Sequence, residues 1–134
     1  MKKTTLALAF VLGGPVATQV AQAQATDGKA VFAKNCAACH MATGAGIPGA
    51  FPALKGNKLV QGDTRLLATT VLKGRAGMPT FAASLDDEKL GLVLTYIRSA
   101  WGNQAGAVGS AAVAAARSDS KAGTVVTSKD SNVH

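Results

Sequence analysis

At 134 residues the chain has room for one small domain and none for a second catalytic unit. Aromatic residues make up only 4% of it, and a small domain buries proportionally little surface, so a large apolar cofactor is expected to help fill the core. The net charge of +7 points to acidic partners, and with no RNA or DNA motif beside it a nucleic-acid role is not expected.

In chain order, Met1-Lys2-Lys3 gives a charged start and an apolar stretch runs from about Leu6 to Val16. Ala21-Gln22-Ala23 then forms the small-x-small pattern of a cleavage site. Residues 1–23 therefore read as a signal peptide that is removed, which places the mature chain in the periplasm. An uncleaved anchor is the alternative, but Gly13-Gly14-Pro15 interrupts the run, and a spanning helix wants about 20 apolar residues. No second long apolar run follows, so the mature chain is expected to have no membrane span.

A first helix is expected from about Asp27 to Asn35, opened by Thr26, with Gly28 and Phe32 one turn apart on one face. It leads into Cys36-Ala37-Ala38-Cys39-His40, which holds both cysteines of the chain. C-x-x-C-H is the attachment signature of c-type haem. Residues three apart share a helix face, so both sulfurs can meet one edge of a porphyrin, and His40 is carried beneath it to ligate the iron. Two other readings compete. A zinc site needs about four ligands, and beyond these three the chain offers only His134 and carboxylates. A redox-active dithiol is not excluded by the motif itself, although the chain lacks the alternating strands and helices of a thioredoxin-like sheet.

The stretch from Met41 to Gly62 is rich in Gly and Pro and reads as loop with room for a short helical turn. A second helix begins near Asp63, a good N-cap, carries Leu67 and Val71 on one face, and ends at Gly74. A methionine thioether suits the sixth iron position and raises the potential. Of three methionines, Met1 leaves with the signal and Met41 is too close to His40 to reach the opposite face of a ring, so Met78 remains. It lies in Gly74-Arg75-Ala76-Gly77-Met78-Pro79, where glycines permit unusual backbone angles and Pro79 stiffens the chain. A methionine filling a core gap is the alternative. Ser84-Leu85-Asp86-Asp87 reads as the cap of a third helix with an apolar stripe of Leu90, Val93, Leu94, Ile97 and Trp101. Beyond residues 24–104, the expected haem domain, residues 105–117 form an extension with a short helix from Ser110. Residues 118–134, polar and serine-rich, are expected to be a disordered tail with His134 solvated.

With these residues in place, the chain resembles a class I c-type cytochrome over about Thr26 to Asn103. Gly28 and Phe32 match the family's first helix and Tyr96 its last, which crosses the first. The likeness implies an all-α fold, with about three main helices and long loops wrapped around one covalent haem c. Pro52-Ala53-Leu54 resembles the family's proline-x-leucine segment. That implies that the Pro52 carbonyl receives the other imidazole N–H of His40 and that Leu54 packs on the ring. Cofactor-binding residues are then Cys36, Cys39, His40, Met78, Pro52 and Leu54, with His40 and Met78 on the iron. A narrower likeness, in Ile47 to Asn57 and Tyr96 to Asn103, is to the haem domains in cytochrome subunits of periplasmic alcohol and sorbitol dehydrogenases, which typically carry several haem motifs where this chain has one.

The resemblance implies electron transfer and no catalysis: a single-electron carrier moving electrons from a dehydrogenase to a terminal oxidase or reductase. Loss of Lys2 and Lys3 would leave a charge of +5, and Lys55, Lys58, Arg65, Lys73 and Arg75 fall in segments expected to ring the haem, suiting transient docking. A haem subunit permanently docked on a dehydrogenase is the second reading. A peroxidase or ligand sensor, which needs an open sixth position, is a third. A thiol oxidoreductase is a fourth.

Overall fold

The structure, a computed structural model, describes residues 27–130, with side chains in the last helix described as far as Ala122. The signal segment 1–23, the Thr26 cap and His134 lie outside the described residues. Helix α1 covers 27–35 and breaks at Cys36, where a single turn residue joins it to α2, Ala37–His40. The backbone stays coiled through this junction, with Cys36 N–H bonded to Phe32 O and His40 N–H to Cys36 O, both at 2.9 Å. Met41, at φ 62°, turns the chain sharply out of α2.

Helix α3, Lys58–Gln61, is the short turn for which the glycine-rich loop had room, capped by the Asn57 side chain on the Leu59 and Val60 amides. Helix α4, Thr64–Lys73, starts at Asp63, whose carboxylate accepts from Leu66 N–H, and stops at Gly74, as expected. Gly74 has φ +74°, and a Cβ there would lie 2.5 Å from Met78 O, so glycine alone fits this stop. Helix α5, Asp87–Ser99, begins two residues later than the Ser84 cap reading. Asp86 is the N-cap, its carboxylate accepting from Lys89 N–H at 2.8 Å, while Leu85 just before it is buried. Trp101 therefore falls past the end of the helix, although its ring still joins Phe32 and Tyr96.

Helix α5 is the centre of the fold. Its Leu90, Val93, Leu94 and Ile97 are buried with Phe32 of α1, Val60 of α3 and Leu67, Ala68 and Leu72 of α4. Helices α1 and α5 cross at Gly28, where a Cβ would stand 2.3 Å from Leu92 O and 2.8 Å from Tyr96 Cβ. Only a residue without a side chain permits that approach. Arg98 is buried without a carboxylate: its Nη1 donates to Val60 O and Gly62 O, both at 2.8 Å, and its Nε to Gly106 O at 2.7 Å. Charge-assisted bonds of this kind are the stronger class, so one side chain ties α5 to α3 and to the chain beyond α5.

The C-terminal extension differs from the sequence expectation. Helix α6, Ser110–Asp130, does not end at Arg117, and residues 118–130 are helical, not a disordered tail. It packs on α4 and α5 through buried Val113 and Ala116, with Val108 buried ahead of it. Ser118 and Ser120 hydroxyls bond back to Ala114 O and Ala116 O, and Asp119 pairs with Arg65 on α4. Its inward stripe is mostly alanine, so the apolar periodicity that marks α5 is weak here. Among the described residues the fold is all-α and no strand forms; α6 adds a fourth long helix to the three expected. Two isolated bridges, Ile47 to Phe51 and Arg75 to Met78, close tight loops.

Candidate functional site

The α1–α2 junction presents Cys36, Cys39 and His40 together. Both thiols are free and half-buried. Burial pushes the Cys36 thiol up to about 11, with the neighbouring Cys39 adding to the rise. A redox-active dithiol needs the opposite, a thiolate stabilised near neutral pH, so the environment argues against that reading. Among the described residues no three His, Cys, Asp or Glu side chains form a group that would hold a metal ion.

His40 is buried, and its Nδ1 lies 2.9 Å from Pro52 O. A carbonyl can only accept, so Nδ1 carries the proton and a neutral ring keeps its lone pair on Nε2, the form a metal ligand needs. Pro52 is held in place by its own loop. Ile47 N–H bonds to Phe51 O at 2.8 Å, Gly46 N–H returns to His40 O at 3.0 Å, and Leu54 and Lys55 amides converge on Gly44 O at 2.8 and 3.0 Å.

Helix α5 and the chain after it brace the loop from behind. Trp101 Nε1 donates to Ala42 O at 3.2 Å. The buried Asn103 amide donates to Leu54 O at 3.1 Å and Ile97 O at 2.7 Å, and its oxygen accepts from Gly56 N–H at 2.8 Å. Neither role is visible in residue spacing; the likeness of the Trp101-Gly102-Asn103 run was the only signal. The polar atoms of both side chains bond inward.

Met78 stands on the other loop, half-buried, in a turn closed by Met78 N–H to Arg75 O at 2.9 Å and Arg75 N–H to Met78 O at 3.2 Å. The loop returns along α4, where Phe81 N–H bonds to Val71 O and Thr80 Oγ1 to Leu72 O. Both loops offer apolar cover. Leu54 on the His40 side and Val71 and Phe81 on the Met78 side pack on the core yet remain half-exposed. Two thiols on one turn, a correctly tautomerised histidine, a methionine and these apolar faces fit a haem attached through the cysteines. Of the cations singled out in the sequence, Lys55, Lys58, Lys73 and Arg75 are exposed, but Arg65 is engaged by Asp119.

A small all-α protein whose haem-attachment motif follows its first helix belongs to the c-type cytochromes. A family model described as cytochrome c oxidase, cbb3-type, subunit III, matches residues 23–97, more than half of the chain, and the chain is a member of that family. It is 38% identical to cytochrome c-552 of Thermus thermophilus, over 77% of this chain and 74% of that protein. It is also 38% identical to the cbb3-type oxidase subunit CcoP of Azospirillum brasilense, over 61% of this chain and 30% of that one. The cytochrome c subunit of a quinone alcohol dehydrogenase from Gluconobacter oxydans is 35% identical, over 61% of this chain and 20% of its own length. The chain thus spans less than a third of the two larger relatives. The protein is a class I c-type cytochrome that binds haem c covalently and transfers electrons with redox proteins as partners. Among the described residues no helix is long and apolar enough to cross a membrane.

Proposed function

We propose that Cys36 and Cys39 hold the haem by thioether bonds, that His40 and Met78 are its axial ligands, and that the exported protein shuttles single electrons in the periplasm. The donor is a dehydrogenase and the acceptor a terminal oxidase or reductase. When bound, the haem supplies a one-electron iron couple. His40 offers Nε2 to the metal because Pro52 O fixes the proton on Nδ1, and that bond is the observation that carries the reading. Leu54, half-buried against the core, would pack on the bound ring. A methionine sulfur in the sixth position raises the potential and closes the iron to exogenous ligands, which separates a carrier from a peroxidase. Export rests on the Met1 to Ala23 pattern. Four exposed cations support a diffusible carrier. Similarity to the alcohol dehydrogenase subunit favours the second reading, a haem subunit that stays docked.

The ligand assignment is tested with Met78→Ala and Met78→His. Met78→His should lower the midpoint markedly within the roughly 0.8 V range that axial ligands control, and Met78→Ala should admit cyanide or carbon monoxide. An unchanged spectrum and midpoint in Met78→Ala would refute the assignment.

A further inference from the structure

Arg117 has no part in the electron-transfer site, yet it grips the chain that leads away from Met78. Its Nη1 donates to Ala82 O at 2.5 Å, its Nη2 to Leu85 O at 2.8 Å and its Nε to Asp87 Oδ1 at 2.7 Å. The side chain is 18% exposed; its bonds to Leu85 O and Asp87 are partly buried, and the bond to Ala82 O lies at the surface. A guanidinium presents its donors in a rigid planar fork, and here one fork spans two carbonyls and a carboxylate across the 82–87 segment. Ala82 is four residues from Met78. The other tethers of this return segment, Thr80 to Leu72 and Phe81 to Val71, both run to α4. Against α6, by contrast, the segment does not pack solidly. A hollow of about 350 Å3 opens among Leu72, Lys73, Thr80, Ala82, Arg117 and Lys121. On that side the Arg117 fork reaches across to the loop carbonyls of Ala82 and Leu85.

We propose that Arg117 is a positioning residue for the axial methionine: from the C-terminal helix it latches the 79–85 segment and so keeps Met78 on the iron. The inference rests on the reading that Met78 is the sixth ligand. The extension then regulates access to the iron, beyond stabilising the fold. Loosening the latch raises the population in which sulfur has left the metal, and an exogenous ligand reports that population. A helix that merely stabilised the domain would have no such effect, because its loss would weaken all regions alike.

The test uses the oxidised holoprotein and three variants. Arg117→Lys keeps the charge but loses the fork. It should raise the rate of cyanide binding about tenfold, the consequence of losing one charge-assisted hydrogen bond from the closed state, and should weaken the methionine–iron charge-transfer band. Val113→Ala removes a fully buried contact on the same helix and leaves the Arg117 side chain and its three hydrogen-bond acceptors in place. It should lower the denaturation midpoint and leave the cyanide rate at the wild-type value. An unchanged rate in Arg117→Lys, or an equal rise in Val113→Ala, would overturn the latch. Met78→Ala separates the two levels: if it binds cyanide no faster than wild type, the ligand assignment fails; if it binds faster while Arg117→Lys does not, the latch alone fails.

Discussion

Gly28→Ala sets two physical effects of opposite sign against each other. Helix propensity by itself favours alanine over glycine by about 1 kcal/mol, so α1 considered alone becomes more stable. The crossing with α5 opposes this. A Cβ at residue 28 would sit 2.3 Å from Leu92 O and 2.8 Å from Tyr96 Cβ. An ordinary carbon–oxygen contact is about 3.3 Å, so the helices must part by about 1 Å. Phe32, Tyr96 and Trp101 pack across this crossing with ring centroids 5.1 to 5.5 Å apart. A gap of 0.5–1 Å forfeits roughly a quarter to a half of each contact's attraction, and overpacking of this sort costs about 1–3 kcal/mol. The net expectation is a loss of up to about 2 kcal/mol, with each kcal/mol lowering Tm by about 4–8 °C in a domain of this size. Thermal denaturation of the holoprotein measures it, and fluorescence of Trp101, the single tryptophan, should shift as its packing loosens. A Tm above wild type would show that the two helices do not depend on the close approach.

Two further outcomes follow from the charges and from Tyr96. Electron transfer with the true partner should slow as salt rises, since screening acts over about 8 Å at 0.15 M ionic strength. Neutralising Lys55, Lys58, Lys73 and Arg75 should flatten that dependence and leave the midpoint nearly unchanged. Rates indifferent to salt would sink the diffusible shuttle and leave the docked subunit. Burial raises the Tyr96 phenol above its ordinary 10, so the native state keeps its proton to higher pH than the unfolded chain does. Stability should therefore fall as pH climbs from about 10 to the raised value, and denaturant midpoints of Tyr96→Phe should lose that component of the alkaline decline. A parallel decline in both proteins would show that Tyr96 does not contribute.

The all-α class, the cofactor and the start of α4 were legible in the chain because each is written in neighbouring residues. C-x-x-C-H spans five positions, and Asp63 caps the helix that it adjoins. A spacing of three or four residues maps directly onto one helix face, so local order and spatial order coincide there. What braces the His40 loop was settled only by tertiary structure. Asn103 reaches Leu54 across 49 positions and Trp101 reaches Ala42 across 59. Arg98, near the end of α5, is buried among carbonyls 36 and 38 residues away. Helix α6 was expected from Ser110, but its continuation past Arg117 was hidden for a related reason: alanine marks helix propensity but no face, and its register became definite only when Val113, Ala116 and Arg117 found α4, α5 and the 82–87 segment. Periodicity records which side of an element is apolar; which distant carbonyl a buried polar side chain will meet depends on how the elements cross, and that is set by packing.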